Sequence, residues 1–155
     1  MASVANVRWG RILTAGALAG IAGGILFDLF IYATSVAPQH GSMLAVWQFI
    51  ASTAIGKTAF ASTGFAWLGL FIHLVVSIAW AIGYAYLAQT RSAIDAHPAV
   101  SGIAFGLVVY VVMQIVLLGD NNFHLPGVRD FALALIRHCI FFGLPVAYIV
   151  RGRSA

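Results

Sequence analysis

Ionisable and strongly polar side chains interrupt the long apolar stretches of this chain, and they are the residues with types suited to chemistry. They are Asp28 in the first stretch, His73 in the second, Gln114 in the third, and Arg137 with His138 in the fourth. A carboxylate in hydrocarbon must be neutralised by a proton or by a cation, and imidazole can both accept and donate a proton. We therefore predict a buried polar pocket that exchanges protons, in which His73, His138 or Arg137 neutralises Asp28.

Small residues recur at every fourth position on two of the stretches and so form ridges along a helix. The ridge of the first stretch is Gly16, Gly20, Gly24 and Asp28; that of the third is Gly102, Gly106, Tyr110 and Gln114. Ridges of small residues let a neighbouring helix approach closely. The pattern predicts that Asp28 and Gln114 lie at helix interfaces.

One face of the second stretch adds further candidates to the pocket. It consists of His73, Ser77, Trp80 and Tyr84, at helical spacing. We include Ser77 and Tyr84 with His73 as pocket residues. In the fourth stretch, Arg137 points about 100° away from His138. The long side chain of Arg137 can therefore snorkel outward instead of joining the cluster.

Composition identifies the surroundings of these helices. Of the 155 residues, 62% are apolar and 8% are charged. In soluble proteins, roughly a quarter of the residues are charged. The bilayer is therefore the predicted partner of the chain. The basic residues are scattered singly, which excludes a nucleic-acid-binding stripe. The single cysteine, Cys139, excludes an internal disulfide and a cysteine-rich metal cage.

Four segments are long enough to cross a bilayer, which takes roughly 20 apolar residues of helix. They cover residues 12–33, 66–88, 98–119 and 131–150. No segment alternates with the period of a strand, so the predicted fold is all-α. It is an integral membrane four-helix bundle that forms a single transmembrane domain over residues 1–155.

The predicted outer loop, residues 34–65, contains an apolar segment that is too short to cross. This segment, residues 43–55, predicts an interfacial or a re-entrant helix, with Trp47 and Phe49 at the level of the lipid headgroups. The run Ala51–Thr58 matches a relaxed phosphate-binding loop. That motif requires a strand-to-helix turn. Because no strand pattern surrounds the run, we predict no nucleotide site.

The loop charges predict the orientation of the bundle in the membrane. With the N-terminus inside, five basic residues face the cytoplasm: Arg8, Arg11, Arg91, Arg151 and Arg153. Only Lys57 and Arg129 remain on the other side. The excess predicts that both termini are cytoplasmic. The polar pocket then opens toward the outer face.

Part of the chain resembles a known family. The similar pieces are the run His73–Tyr84, the Gly102/Gly106 helix, the Leu125–Pro126 loop and the run His138–Phe142. These pieces, within residues 69–151, resemble the YagU-like family of bacterial inner-membrane proteins. The matching positions are His73, Ser77, Gly83, Tyr84 and His138. The resemblance implies a small polytopic protein of the bacterial inner membrane, in a family linked to acid survival but without a settled biochemical activity.

Three functions remain open at this point. The first is a non-enzymatic membrane protein whose pocket serves proton handling, acid survival or the passage of a small solute. The second is a b-type haem or metal-binding protein with His73 and His138 as ligands, and Asp28 as a third ligand if the metal is not haem. The third is an accessory subunit whose glycine ridges dock onto a larger membrane complex; a homo-oligomer is also compatible. An enzyme is disfavoured, because no activated nucleophile or carboxylate pair is evident.

Overall fold

The computed structural model describes residues 7–119 and 127–154, so the Leu125–Pro126 loop and both chain ends lie outside the described residues. Every regular element in the described part is helical. The elements are α1 (Trp9–Ile31), a π-helical turn (Tyr32–Val36), a 3-10 turn (Ala37–Gln39), α2 (Met43–Ile55), a second 3-10 turn (Gly56–Phe60), α3 (Phe65–Thr90), α4 (Ser92–Ala96), α5 (Pro98–Gly119), α6 (Val128–Ile136), a π-helical segment (Arg137–Gly143) and α7 (Leu144–Ser154).

Four helices of the described chain are long and apolar enough to cross a membrane. The first span is α1 with the two turns that continue it to Gln39, and the fourth span is α6, the π-helical segment and α7 together. α3 and α5 are the second and third spans. The all-α four-helix fold predicted from the sequence is confirmed.

The helices extend beyond the predicted spans, most clearly at the first one. It begins at Trp9 and continues through residues 34–39, although the predicted crossing covers residues 12–33. Backbone hydrogen bonding does not stop where hydrophobicity falls, so a hydropathy boundary is not a helix end. α2, in contrast, has the bounds of the predicted short helix. The Ser42 hydroxyl accepts a hydrogen bond from Leu44 N–H (3.2 Å) at its start, and Gly56 ends it with a φ of 60°, which glycine adopts without strain.

The first span lies between α3 and the fourth span, and α5 packs against the fourth span. The glycine ridges explain these neighbours. A Cβ atom placed on Gly20 would lie 2.5 Å from Ile78 Cα of α3, and one placed on Gly106 would lie 2.6 Å from Cys139 Cα of the fourth span. Backbones approach this closely only where the side chain is absent. Both ridges are therefore used for packing within the chain.

The bundle has two distinguishable ends. At the end that we call the terminal end, α1 begins and α3 ends, and Arg8 N–H donates to Gln89 Oε1 (3.0 Å). The opposite end, which we call the α2 end, holds α2 and the start of the fourth span; here Arg129 Nη2 donates to the Thr34 carbonyl (3.4 Å). Buried apolar side chains such as Ile12, Ala19 and Val146 fill the terminal half.

Candidate functional site

The site centres on Asp28 of α1 and His73 of α3. The distance from His73 Nε2 to Asp28 Oδ1 is 3.3 Å, and the two side chains are 13% and 15% exposed, respectively. His73 Nε2 also donates to the Gly24 carbonyl (3.3 Å). Both neighbours of this nitrogen are acceptors, so Nε2 must carry a proton. Of the three partners that the sequence left open for Asp28, the structure pairs it with His73.

The glycine ridge brings these side chains together. A Cβ atom on Gly24 would lie 3.1 Å from Ser77 Oγ and 3.5 Å from His73 Nε2. Ser77 is buried at 5% exposure, one turn along α3 from His73. The absence of a side chain at Gly24 thus lets the histidine face of α3 reach the carbonyl groups of α1. Ser77 lies beside the Asp28–His73 pair in this interface.

Trp47 of α2 donates a hydrogen bond to the carboxylate of Asp28. Its indole Nε1 lies 3.2 Å from Asp28 Oδ2, whereas Oδ1, next to His73, is buried and makes no hydrogen bond with the described residues. This contact was not predicted from the sequence, from which Trp47 was expected at the level of the lipid headgroups. The signal was nevertheless present, because a buried carboxylate needs donors and an indole N–H on a neighbouring apolar helix is one.

α2 is held in the position that this contact requires. Gln48 is buried, and its Nε2 donates to the carbonyls of Ala59 (3.1 Å) and Ser62 (3.0 Å). Gly69 of α3 lies directly against the Trp47 backbone, where no side chain would fit. The Gly69 contact thus keeps α2 against α3, and the Gln48 hydrogen bonds hold α2 to the segment that precedes α3.

We expect Trp47→Phe to lower the free energy of unfolding by about 1–2 kcal/mol, because the ring is kept while the hydrogen bond to a carboxylate is lost. The matched control is Trp67→Phe, since Trp67 is 64% exposed. Denaturant unfolding in detergent micelles measures both variants. Equal stabilities for Trp47→Phe and Trp67→Phe would contradict the assigned role of the indole N–H.

His138 lies next to this pair but not in it. Its Nδ1 donates to the Ala134 carbonyl (2.7 Å). Its ring makes edge-to-face contacts with the rings of Phe27 (4.8 Å between ring centroids) and Tyr110 (5.3 Å). The Phe27 ring also lies 5.6 Å from the His73 ring. Phe27 is thus the shared neighbour of the two histidines.

The π-helical segment changes the geometry of the fourth span around His138. Its hydrogen bonds run over five residues instead of four, which widens the turn and alters the direction of every side chain in it. A helical wheel with a uniform period could not predict this. Arg137 accordingly does not snorkel freely: its Nε is buried without an acceptor, and its Cζ lies 5.7 Å from the centroid of the Phe27 ring.

Two other predicted residues lie elsewhere. Tyr84 is about 16 Å along α3 from His73, and its hydroxyl pairs with Ser101 Oγ (2.7 Å) beside a mostly apolar groove of about 600 Å³ between α3 and α5. Gln114 is on α5, which packs against the fourth span; within residues 7–119 and 127–154 it makes no hydrogen bond to Asp28 or His73. Within the described part of the chain, neither residue is hydrogen-bonded to the pair.

The hydrogen bonds of the two histidines leave one nitrogen of each ring available. His73 Nε2 faces Asp28 and the Gly24 carbonyl, and His138 Nδ1 donates to Ala134. His73 Nδ1 and His138 Nε2 can therefore each offer a lone pair to a metal. The Phe27 ring contacts both imidazoles. In the described part of the chain, no group of three His, Cys, Asp or Glu side chains is placed to hold a metal.

Chemically, the Asp28–His73 pair can take up and release a proton. With Nε2 protonated, the neutral His73 ring keeps its lone pair on Nδ1, which can accept a second proton. The resulting imidazolium would form an ion pair with the Asp28 carboxylate, to which Trp47 also donates. The three side chains come from three different helices, α1, α2 and α3.

Comparison of the chain with protein-family models, curated proteins and solved structures found no match. The resemblance to the YagU-like family therefore remains a prediction from the sequence.

Proposed function

We propose that this polytopic membrane protein is a non-enzymatic, proton-responsive protein whose proton-binding site is the Asp28–His73 pair. The observation that carries the proposal is the 3.3 Å contact between the carboxylate and the imidazole at an interface between membrane spans. Ionisable groups inside membrane spans are costly and are commonly functional. Both side chains remain slightly exposed, at 13% and 15%.

Among the activities open from the sequence, proton binding is better supported than passage of a solute. Toward the terminal end from the pair, α1 and α3 are in close contact at Gly20 and Gly16, where even a Cβ atom would not fit. The core beyond them is apolar. A path for a polar solute needs polar side chains along it, and those of this core are hydrophobic. The site therefore serves proton exchange with one side of the membrane.

The proposal includes the location and orientation predicted from the sequence. Both termini would face the cytoplasm of a bacterium, because most loop arginines lie at the terminal end. The α2 end and the Asp28–His73 pair would then face the periplasm, where acid reaches the cell first. A role in acid survival, which the resemblance implies, agrees with this placement. The alternative of an accessory subunit loses its motivating feature, since both glycine ridges are occupied within the chain.

The test is nuclear magnetic resonance of the purified protein with nitrogen-labelled histidine, recorded as the pH is lowered. We expect the Nδ1 atom of His73 to gain a proton while Nε2 stays protonated. Asp28→Asn should change the pH at which this happens, because it removes the partner of the imidazolium. His73→Leu assigns the signal by deleting it.

Tyr84→Phe is the matched control, since the hydroxyl that it removes is three turns from the pair; the His73 titration should be unchanged. A second readout is proton flux through vesicles that contain the protein, which should equal that of empty vesicles. If Asp28→Asn leaves the titration of His73 as it is in the wild type, the proposed site is wrong. A flux well above that of empty vesicles would instead establish a proton channel.

A further inference from the structure

Arg137 is a second charged group inside a membrane span, and its surroundings differ from those of Asp28. Its guanidinium lies over the Phe27 ring of the first span, 5.7 Å from the centroid. Its Nε atom is buried and has no hydrogen-bond acceptor. The residue as a whole is half-buried, so part of the side chain is accessible at the seam between the first and fourth spans.

No carboxylate of the described chain forms an ion pair with this arginine. The ion pair found within residues 7–119 and 127–154 joins Asp28 to His73 and does not include Arg137. Asp130, the only carboxylate on the same span, precedes Arg137 by seven residues, which is about 10 Å along the axis, and it is exposed. The ring of Phe27 contributes a cation–π contact but no hydrogen-bond acceptor.

A second arginine lies along the same seam. Arg129 Nη2 donates to the Thr34 carbonyl of the first span, and Arg129 lies about 12 Å from Arg137 along the fourth span. The seam thus carries an arginine near its entrance at the α2 end and another deeper inside. Such an arrangement attracts an anion and directs it inward.

We propose that Arg137 binds a phosphate-type oxyanion in this seam, supplied either by a lipid headgroup or by free phosphate. The planar guanidinium matches the oxygens of phosphate with two parallel hydrogen bonds, and it is the side chain best suited to that geometry. A bound oxyanion at the accessible part of the side chain supplies the counter-charge that no ion pair of the described chain provides. The inference is independent of proton binding at Asp28–His73, because it concerns a different charge on a different helix.

The experiment measures thermal unfolding of the protein in maltoside micelles, which contain no phosphate. One arm adds inorganic phosphate and the other adds phosphatidylglycerol. We expect at least one of them to raise the unfolding midpoint of the wild type saturably. Arg137→Gln should weaken that binding by about tenfold or more, which corresponds to the loss of a charged hydrogen bond. Arg137→Lys keeps the positive charge but cannot form two parallel hydrogen bonds. Its affinity for the ligand should therefore lie between those of the wild type and Arg137→Gln.

The control variant is Arg153→Gln, because Arg153 is exposed and lies at the terminal end. It should bind phosphate or phosphatidylglycerol as tightly as the wild type does. Without any ligand, Arg137→Gln should unfold at the same temperature as the wild type or higher, because it removes an unpaired buried charge; this shows that the variant folds. A response to phosphate identifies a free oxyanion as the ligand, and a response to phosphatidylglycerol alone identifies a headgroup. The proposal is overturned if neither ligand distinguishes Arg137→Gln from the wild type, or if Arg153→Gln shows the same loss.

Discussion

Gly20→Val is expected to lower the free energy of unfolding by about 3 kcal/mol, because the α1–α3 interface has no room for a side chain there. A Cβ atom at Gly20 would lie 2.5 Å from Ile78 Cα and 2.7 Å from the Ser77 carbonyl oxygen. These atoms belong to the backbone, so they cannot move aside as the end of a flexible side chain can. The two helices must separate, and the Asp28–His73 contact two turns away must lengthen with them.

The control for this prediction is Gly83→Val on α3, where a Cβ atom would meet nothing within 4 Å. Valine is a better helix former than glycine, so this variant should be as stable as the wild type or more stable by less than about 1 kcal/mol. The free energy of unfolding of both variants is measured by reversible unfolding in mixed micelles with an increasing fraction of dodecyl sulfate. A Gly20→Val protein as stable as Gly83→Val would show that the close approach of α1 and α3 is not present in the membrane.

His73→Leu is expected to destabilise the protein by about 2–3 kcal/mol, because among the described residues it leaves the Asp28 carboxylate with Trp47 alone as a partner. This expected destabilisation is smaller than for a fully buried ion pair, since both side chains retain some exposure. Asp28→Ala should lower the free energy of unfolding by less than His73→Leu does. Without its partner, the imidazole can stay neutral and keep its hydrogen bond to the Gly24 carbonyl.

The double variant separates this interaction from simple loss of packing. Removing both members of a buried ion pair removes the unpaired charge as well, so Asp28→Ala combined with His73→Leu should be more stable than His73→Leu alone. The coupling energy from the four proteins should be about 1–3 kcal/mol. Additive losses would mean that the two side chains do not interact. Cys139→Ala, outside the pair, serves as an unrelated reference in the same measurement.

Much of the architecture could be predicted because it follows from local properties of the chain. The four spans and the bounds of α2 are readable from runs of apolar residues, since hydrophobicity decides which segments leave water. The ridges through Gly20 and Gly106 could be recognised as interfaces from spacing alone. The need of Asp28 for a partner also follows from its residue type, because hydrocarbon does not solvate a carboxylate.

Residue types and spacing were thus sufficient to predict an all-α membrane bundle with a polar site and to name the candidate residues. The packing of the helices was needed to show that His73 and Trp47 contact Asp28, that the Arg137 guanidinium lies over the Phe27 ring, and that the Tyr84 hydroxyl pairs with Ser101 instead. Periodicity describes one helix at a time, whereas partners depend on which helices are neighbours and on the register between them. That register is set by backbone contacts at the glycines, and the wider π-helical turn around His138 further changes the direction of its side chains, which a uniform helical period cannot anticipate.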